Sequence, residues 1–216
     1  MANVRPTAVT VLLVDDHAVV REGYKRLLER SGGIAVIGEA ADAASAHSLF
    51  CKLSPQVVVM DIALPGVSGI DAMRHMLERE PQTRVLIFSM YEDAIFASRA
   101  LRGGAYGYVT KASAPNVLVE AVHTVARGSK YISAKIAHDL ALRAATGDTA
   151  ASDGLSAREF EVLRLLTQGK SVKEIAQTMK LTPKTVANHQ SAIKQKLGDD
   201  SSFQLLTIAS KLGLGN

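Results

Sequence analysis

Short apolar, β-branched runs alternate with helix-patterned stretches five times within the first 127 residues, and few folds accept that rhythm. The strand-like runs fall at 9–14, 34–39, 57–60, 85–88 and 106–109. Helical spacing of apolar residues fills 19–30, 43–53, 69–79, 94–102 and 115–127. Strand and helix in strict turn predict a parallel sheet, since each crossover helix carries the chain back to start the next strand in the same direction. The runs VTVLLV and VVVM are apolar almost throughout, as strands covered on both faces require. The expectation is an α/β domain with a doubly wound, five-stranded parallel sheet of order 2-1-3-4-5.

The rhythm stops after Gly128. A helix is predicted over 133–145, and the stretch 146–153, TGDTAASD, has linker composition. The remaining residues are helical and clearly punctuated. Ser156 with Glu159 and Ser171 with Glu174 each make a capping box, and Leu155 with Phe160 fits a hydrophobic staple. Thr182 caps a helix with Pro183 at its first position, ending near Gly198. Ser201 with Gln204 opens a fourth helix that Gly213 closes. Three segments follow: an α/β domain over 8–127, a connecting segment over 128–153, and an all-α four-helix domain over 154–216.

Composition narrows the function class. No apolar run approaches the roughly 18 residues of a membrane span, and the first residues lack a signal-peptide core, so a cytoplasmic protein without membrane contact is expected. Cys51 is the only cysteine, which excludes an internal disulfide or a cysteine metal cluster; its place in a helical pattern predicts a small buried hydrophobe. The formal charge of +4 is uneven, with nine Lys/Arg against six Asp/Glu after position 150. Between Glu174 and Asp199 there is no acid at all, while Lys180, Lys184, Lys194 and Lys196 fall there. A segment of that kind attracts polyanions.

Five residues at the ends of strands carry chemistry. Asp15 and Asp16 follow the first strand, Asp61 the third, Ser89 ends the fourth, and Lys111 follows the fifth. In an open parallel sheet the carboxyl ends of the strands face a common crevice at the switch point, and strands one and three are neighbours there. Three crowded carboxylates repel one another, and a hard divalent cation such as Mg²⁺ relieves that repulsion through oxygen ligands. A carboxylate nucleophile beside a cation, a hydroxyl and an ammonium suits phosphoryl transfer.

The motifs VDDH (14–17), MDIALPGVSG (60–69), FSM (88–90) and GAYGYVTKA (104–112) occur in order, and over residues 8–127 the chain resembles the receiver domains of bacterial response regulators. The resemblance implies a flavodoxin-like fold in which Asp61 accepts phosphate from a sensor histidine kinase. It implies Mg²⁺ held by Asp16, Asp61 and the backbone carbonyl of Ala63, with Asp15 acting largely through water. Ser89 would contact the phosphoryl group, Tyr108 would pack inward as a switch, and Lys111 would pair with the phosphate. Ala112 departs from the family, which often has proline there, and Ala63 and Tyr91 are poorly suited to guiding a hydrolytic water. Slow self-dephosphorylation is therefore expected.

On a helical wheel, Val186, Ile193 and Leu197 share one side of the helix that begins at Pro183. Lys184, Asn188, Ser191 and Gln195 share the other, flanked by Ala187 and Lys194; His189 lies towards the core side as a packing residue. The outer side has no acid and no bulky apolar residue, which suits a major groove. Residues 155–198 resemble the LuxR-type helix-turn-helix, and the whole chain resembles the NarL/FixJ regulators. The resemblance implies a transcription regulator rather than an enzyme. It makes Ala187, Asn188 and Ser191 base-reading candidates and Lys184, Thr185, Gln190, Lys194 and Lys196 further candidates for contact with double-stranded DNA. A homodimer is expected when the protein is phosphorylated or DNA-bound, with Leu205, Leu206, Ala209 and Leu212 of the last helix available as contacts or as core. Family members often carry lysine where Ala187 stands, so the usual base contact is missing. A phosphatase-like enzyme with an aspartate nucleophile is the competing reading. Its nucleophile would follow the first strand with a second aspartate two residues on, and Asp15-Asp16-His17-Ala18 lacks that spacing.

Overall fold

A computed structural model of the chain describes residues 8–146 and 155–197. The chain divides into two compact units between Leu140 and Ala141. The first unit is built on the sheet. Its strands are β1 (Val9–Val14), β2 (Ile34–Ala40), β3 (Val57–Met60), β4 (Val85–Ser89), β5 (Gly107–Thr110) and β6 (Tyr131–Ile132), in spatial order β2-β1-β3-β4-β5-β6 with every pair parallel. The helices between them are α1 (Ala18–Arg30), α2 (Ala43–Leu53), α3 (Gly69–Arg79), α4 (Ala94–Arg102) and α5 (Pro115–Ala126).

The central strands β3, β4 and β5 are buried throughout because helices cover both faces. On one face Val11, Leu13, Val57, Val59, Leu86, Phe88 and Val109 pack against Leu28 of α1 and Leu118, Ala121, Val122 and Val125 of α5. The alternate residues Leu12, Val58, Ile87 and Tyr108 are equally buried and point to the opposite face, the side of α2, α3 and α4. The five strands and the order 2-1-3-4-5 are present as the sequence predicts. A sixth strand extends the sheet beyond β5, where residues 128–153 are read as linker. Gly107 makes the pairing possible: a Cβ there would lie 2.4 Å from the Tyr131 carbonyl oxygen. Helix α6 (Ala134–Thr146) follows directly.

Cys51 corrects one expectation, for it is exposed. Helix α2 turns Ala46 and Phe50 inward, and Cys51 stands about 100° further round the helix. Its thiol lies 3.7 Å from His47 Nε2, one turn away.

In the second unit the described helices are α7 (Ala157–Thr167), α8 (Val172–Thr178) and α9 (Pro183–Leu197), and α9 packs on both others. Both capping boxes form, with Ser156 and Ser171 accepting from the Glu159 and Glu174 amides while those carboxylates reach back. Leu155 and Phe160 are both buried, as a staple requires. Lys180, at φ +53°, turns the chain from α8 towards α9 in the left-handed region that a lysine seldom enters. The expected fourth helix, with Ser201, Leu205, Leu206, Ala209, Leu212 and Gly213, lies outside the described residues, as do Gly198 and residues 147–153 of the linker.

Candidate functional site

The register of β1 with β3 brings the acids together. Val14 stands opposite Met60, so the residues that follow, Asp15 and Asp61, leave the sheet side by side. Backbone bonds fix both exits: the Asp15 amide donates to the Ala40 carbonyl at 3.0 Å and the Asp61 amide to the Val14 carbonyl at 2.9 Å. Gly69, at the start of α3, lets this helix close over the loop after Asp61, since a Cβ there would lie 1.9 Å from the Asp61 carbonyl oxygen.

Lys111 arrives from β5 and sits between two of the carboxylates. Its Nζ donates to Asp15 Oδ2 at 2.5 Å and to Asp61 Oδ2 at 2.7 Å. Only 5 % of the Lys111 side chain is exposed, against 3 % and 4 % for the two acids. Burial opposes the charge on Lys111, but Asp61 and then Asp15 outweigh it and hold the ammonium above its ordinary range. The Asp16 carboxylate is also buried, and His17 Nδ1 lies 2.7 Å from its Oδ1 and 3.4 Å from Asp15 Oδ1.

Donor atoms of Asp15, Asp16, His17 and Asp61 all lie within 4.8 Å of one another. This acidic cluster has the donor set to bind a metal ion: three carboxylates supply the hard oxygen ligands that Mg²⁺ prefers. His17 is the member that sequence reasoning missed. The signal was its adjacency to Asp15 and Asp16. As N-cap of α1 it donates its amide to Asp15 Oδ1 at 2.8 Å, a bond that bends the chain so that the imidazole meets the acids.

A cleft of about 380 Å³ opens beside the cluster, lined by His17, Asp61, Ala63, Met90, Tyr91 and Lys111 among others. Ala63 is held close, its amide directed at Asp61 Oδ1 at 3.4 Å. Ser89 and Tyr108 meet at Tyr91: the Tyr91 amide donates to Ser89 Oγ at 3.4 Å, and the Tyr108 hydroxyl donates to the Tyr91 carbonyl at 2.7 Å. The Tyr91 ring in turn stacks on Phe96 with centroids 4.3 Å apart. Tyr108 already occupies the inward position, fully buried, and burial with the nearby Asp61 charge keeps its phenol un-ionised. The peptide bond between Lys111 and Ala112 is trans.

In the second unit α9 sorts its described side chains as the wheel predicts, the side chain of Leu197 lying outside them. Val186 and Ile193 are fully buried, while Lys184, Ala187, Asn188, Ser191 and Gln195 are exposed along one side. Gln190 and Lys194 flank that side, half-buried. Thr185 is tied into the cap, its amide donating to Thr182 Oγ1 at 3.1 Å. Ser191 donates its hydroxyl to the Ala187 carbonyl at 3.1 Å, which leaves its oxygen as an acceptor. Lys196, partly exposed, also has a partner within the unit. Its Nζ donates to Glu159 Oε2 at 2.7 Å, so it braces α9 against the cap of α7. His189 is half-buried; burial and Arg158 depress its basicity, and Glu159 only partly offsets them.

Comparison with known proteins agrees with both parts. Residues 11–123 match the family described as "Response regulator receiver domain", and residues 153–209 match "Bacterial regulatory proteins, luxR family". The chain is 34% identical to "Response regulator GacA" of Pseudomonas aeruginosa, over 95% of this chain and 97% of that protein. Among solved structures it is similar to a two-component response regulator of the LuxR family from Aurantimonas sp. SI85-9A1, at 45% identity and TM-score 0.63, over 64% of this chain and 99% of that one. It is also similar to RcsB from Salmonella enterica serovar Typhimurium bound to promoter rprA in the presence of the phosphomimetic BeF3-, at 26% identity and TM-score 0.62, over 94% and 98% of the two chains. An acid cluster at the switch point of a parallel sheet, followed by a helix-turn-helix, thus has one consistent meaning: the chain belongs to the two-component response regulators that join a receiver domain to a LuxR-type DNA-binding domain and regulate transcription.

Proposed function

We propose that Asp61 is the phosphoacceptor of this regulator and that its phosphorylation controls DNA binding through α9. The observation that carries this reading is the placement of Lys111 Nζ within hydrogen-bond reach of both Asp15 and Asp61 at the mouth of an open cleft. In the transfer from a sensor histidine kinase, an Asp61 carboxylate oxygen attacks phosphorus in line. The O–P bond forms as the P–N bond to the kinase histidine breaks, and the imidazole leaves neutral with the proton on its other nitrogen. Lys111 loses a carboxylate partner as Asp61 becomes an acyl phosphate and is free to pair with the new phosphoryl oxygens.

Mg²⁺ is the cation we assign to the cluster, held by Asp16, Asp61 and the Ala63 carbonyl, with Asp15 acting through water. When bound it neutralises charge on the phosphoryl oxygens. Ser89 and Tyr108 share Tyr91, so a Ser89 hydroxyl turned to the phosphoryl group withdraws from the Tyr91 amide and shifts the start of α4. Ala63 and Tyr91 at the cleft give no side chain suited to orienting an attacking water, which supports slow loss of the phosphate.

For DNA, we infer that Ala187, Asn188 and Ser191 read base edges, while Lys184, Gln190 and Lys194 contact the backbone, with α8 as the supporting helix. Asn188 suits adenine, and Ala187 offers only a methyl group. Among the relatives, RcsB is solved bound to a promoter and, in another structure, as two dimers on two parallel DNAs; by analogy this chain binds double-stranded DNA and pairs into a homodimer on it. Among the described residues no helix is long and apolar enough to cross a membrane. We assign it to the cytoplasm, where such a kinase would meet it. The segments we propose are a receiver over 8–127, a connection over 128–153 and a DNA-binding domain over 154–216.

The decisive experiment compares wild type and Asp61→Asn, each with and without acetyl phosphate and Mg²⁺, for binding to genomic fragments. Wild type alone should gain affinity on treatment, by about 5- to 150-fold for a coupling of 1–3 kcal/mol. Equal affinity under all four conditions overturns the phosphoswitch, and absence of any preferred fragment overturns sequence-specific reading.

A further inference from the structure

Arg21, in the first turn of α1, reaches back to the loop that carries Asp15, Asp16 and His17. Its Nη1 donates to the Asp15 backbone carbonyl at 2.6 Å. From the same guanidinium, Nε donates to Glu39 Oε2 on β2 at 3.3 Å. The second Glu39 oxygen accepts from Lys25 Nζ at 2.7 Å, one turn further along α1. The Arg21 side chain is only 18 % exposed. None of these three residues belongs to the acid cluster.

The geometry points to Arg21 as a positioning residue for the cation and acceptor site: a rigid fork that fixes the carbonyl of Asp15 and thereby the aim of the Asp15 and Asp16 carboxylates. This inference rests on the reading of the cluster as a cation site. Its physical basis is the abrupt end of β1. The Asp15 amide is anchored by the Ala40 carbonyl, the last ladder bond on that side, and beyond it the backbone must turn into α1 within three residues. Rotation about the Asp15 Cα–C bond would swing the Asp16 carboxylate and carry away the His17 amide from which Asp15 Oδ1 accepts. A guanidinium holds its donors in one plane, so anchoring Nε on Glu39 leaves Nη1 a single direction. Glu39 also takes up the positive charge, so Arg21 acts as a directed donor rather than as a cation competing for the carboxylates. Lys25 keeps Glu39 in place through its other oxygen.

A merely structural role, tying α1 to β2, is separable from a positioning one. Lys25 bridges the same two elements through the same Glu39 yet does not touch the loop. Mn²⁺ serves as the probe, because carboxylate sites accept it and its free form has an electron paramagnetic resonance signal that disappears on binding. In the full chain, Arg21→Ala should weaken Mn²⁺ binding roughly tenfold, the low end of what loss of an outer partner costs a metal site. Lys25→Ala should lower Tm and leave Mn²⁺ affinity within about twofold, well below the outer-shell effect. Arg21→Lys, expected to fold even where the alanine variant does not, should fall between, since one ammonium cannot hold both acceptors in fixed directions. The Mg²⁺ concentration for half-maximal phosphorylation by acetyl phosphate should rise in the same order. Unchanged Mn²⁺ affinity in the Arg21 variants, or an equal loss in Lys25→Ala, overturns the positioning role. Failure of the wild type itself to bind Mn²⁺ is a different result, for it overturns the cation site and the role of Arg21 with it.

Discussion

The Lys111 ammonium lies 2.7 Å from the Asp61 carboxylate, although 50 residues of chain separate the two. Each is nearly inaccessible to water, so neither charge is stable without the other. The same ammonium, 2.5 Å from Asp15, is the internal counterion that lets three carboxylates coexist at the end of a sheet.

Removing that counterion should therefore be costly before any cation is added. Lys111→Ala is expected to lose roughly 3 kcal/mol, the low end for breaking a buried pair, because the neighbouring cleft admits water to the acids. The loss should appear as a lower Tm in EDTA. Mg²⁺ should then raise the Tm of the variant by more than that of wild type, since a cation bound only by the folded chain stabilises it by mass action. An unchanged Tm in EDTA would mean that the acids are not charged together.

Tyr108 tests the link from the site to α4. Its hydroxyl donates to the Tyr91 carbonyl, and Tyr108→Phe leaves that acceptor without its donor at a cost of about 1 kcal/mol. The variant should still take up phosphate on Asp61 at a rate close to wild type. Its gain in DNA affinity on phosphorylation should shrink several-fold, because Tyr91 is no longer tied to β5. A full gain would remove Tyr108 from the switch.

Two lysines near the end of α9 and at its start separate packing from DNA contact. Lys196 is held by Glu159 at 2.7 Å, whereas Lys184 stands on the exposed side. Lys184→Ala should weaken DNA binding and reduce the slope of log affinity against log salt by about one, the release of one phosphate contact. Lys196→Ala should leave that slope intact and lower the stability of the second unit instead. A changed slope in Lys196→Ala would return it to the phosphate contacts.

The sequence made the fold legible wherever one pattern ran long enough to be read. Five strands announced themselves by apolar runs, and the strand ends then placed Asp15, Asp61, Ser89 and Lys111 without a single distance. β6 has only two residues, Tyr131 and Ile132, too few to show an alternation, and its partner signal is the missing side chain of Gly107. Cys51 was misplaced because composition cannot tell which side of α2 faces the sheet. That depends on Phe50, one residue earlier, filling the core. The tie of Lys196 to α7 left no trace in the sequence. Its acid, Glu159, comes 37 residues earlier on a different helix, and only packing brings the two together. Arg21 and Glu39 were silent for the same reason: two charges on separate elements carry no mutual signal in one sequence.

His189 gives the second unit a pH dependence whose sign follows from its surroundings. Burial pushes the imidazole below its ordinary value of 6.5; Glu159 pulls the other way, and Arg158 lowers it further. The folded chain therefore keeps His189 neutral at pH values where the unfolded chain has already bound a proton. Between the depressed folded value and 6.5 the unfolded state carries the extra proton, so stability rises with pH there and is lost as pH falls below about 6.5. Glu159 does not mask this, since Lys196 and Ser156 outweigh burial and hold its carboxyl below the usual range, where it stays ionised. Hydrogen exchange of the α9 amides in the full chain provides the measurement. Protection, corrected for the intrinsic rate, should fall as the pH drops below about 6.5 in wild type. His189→Gln, which fills similar space without titrating, should flatten that fall. Parallel profiles in the two proteins would mean that the imidazole is protonated equally in both states and that its partial burial is of no electrostatic consequence.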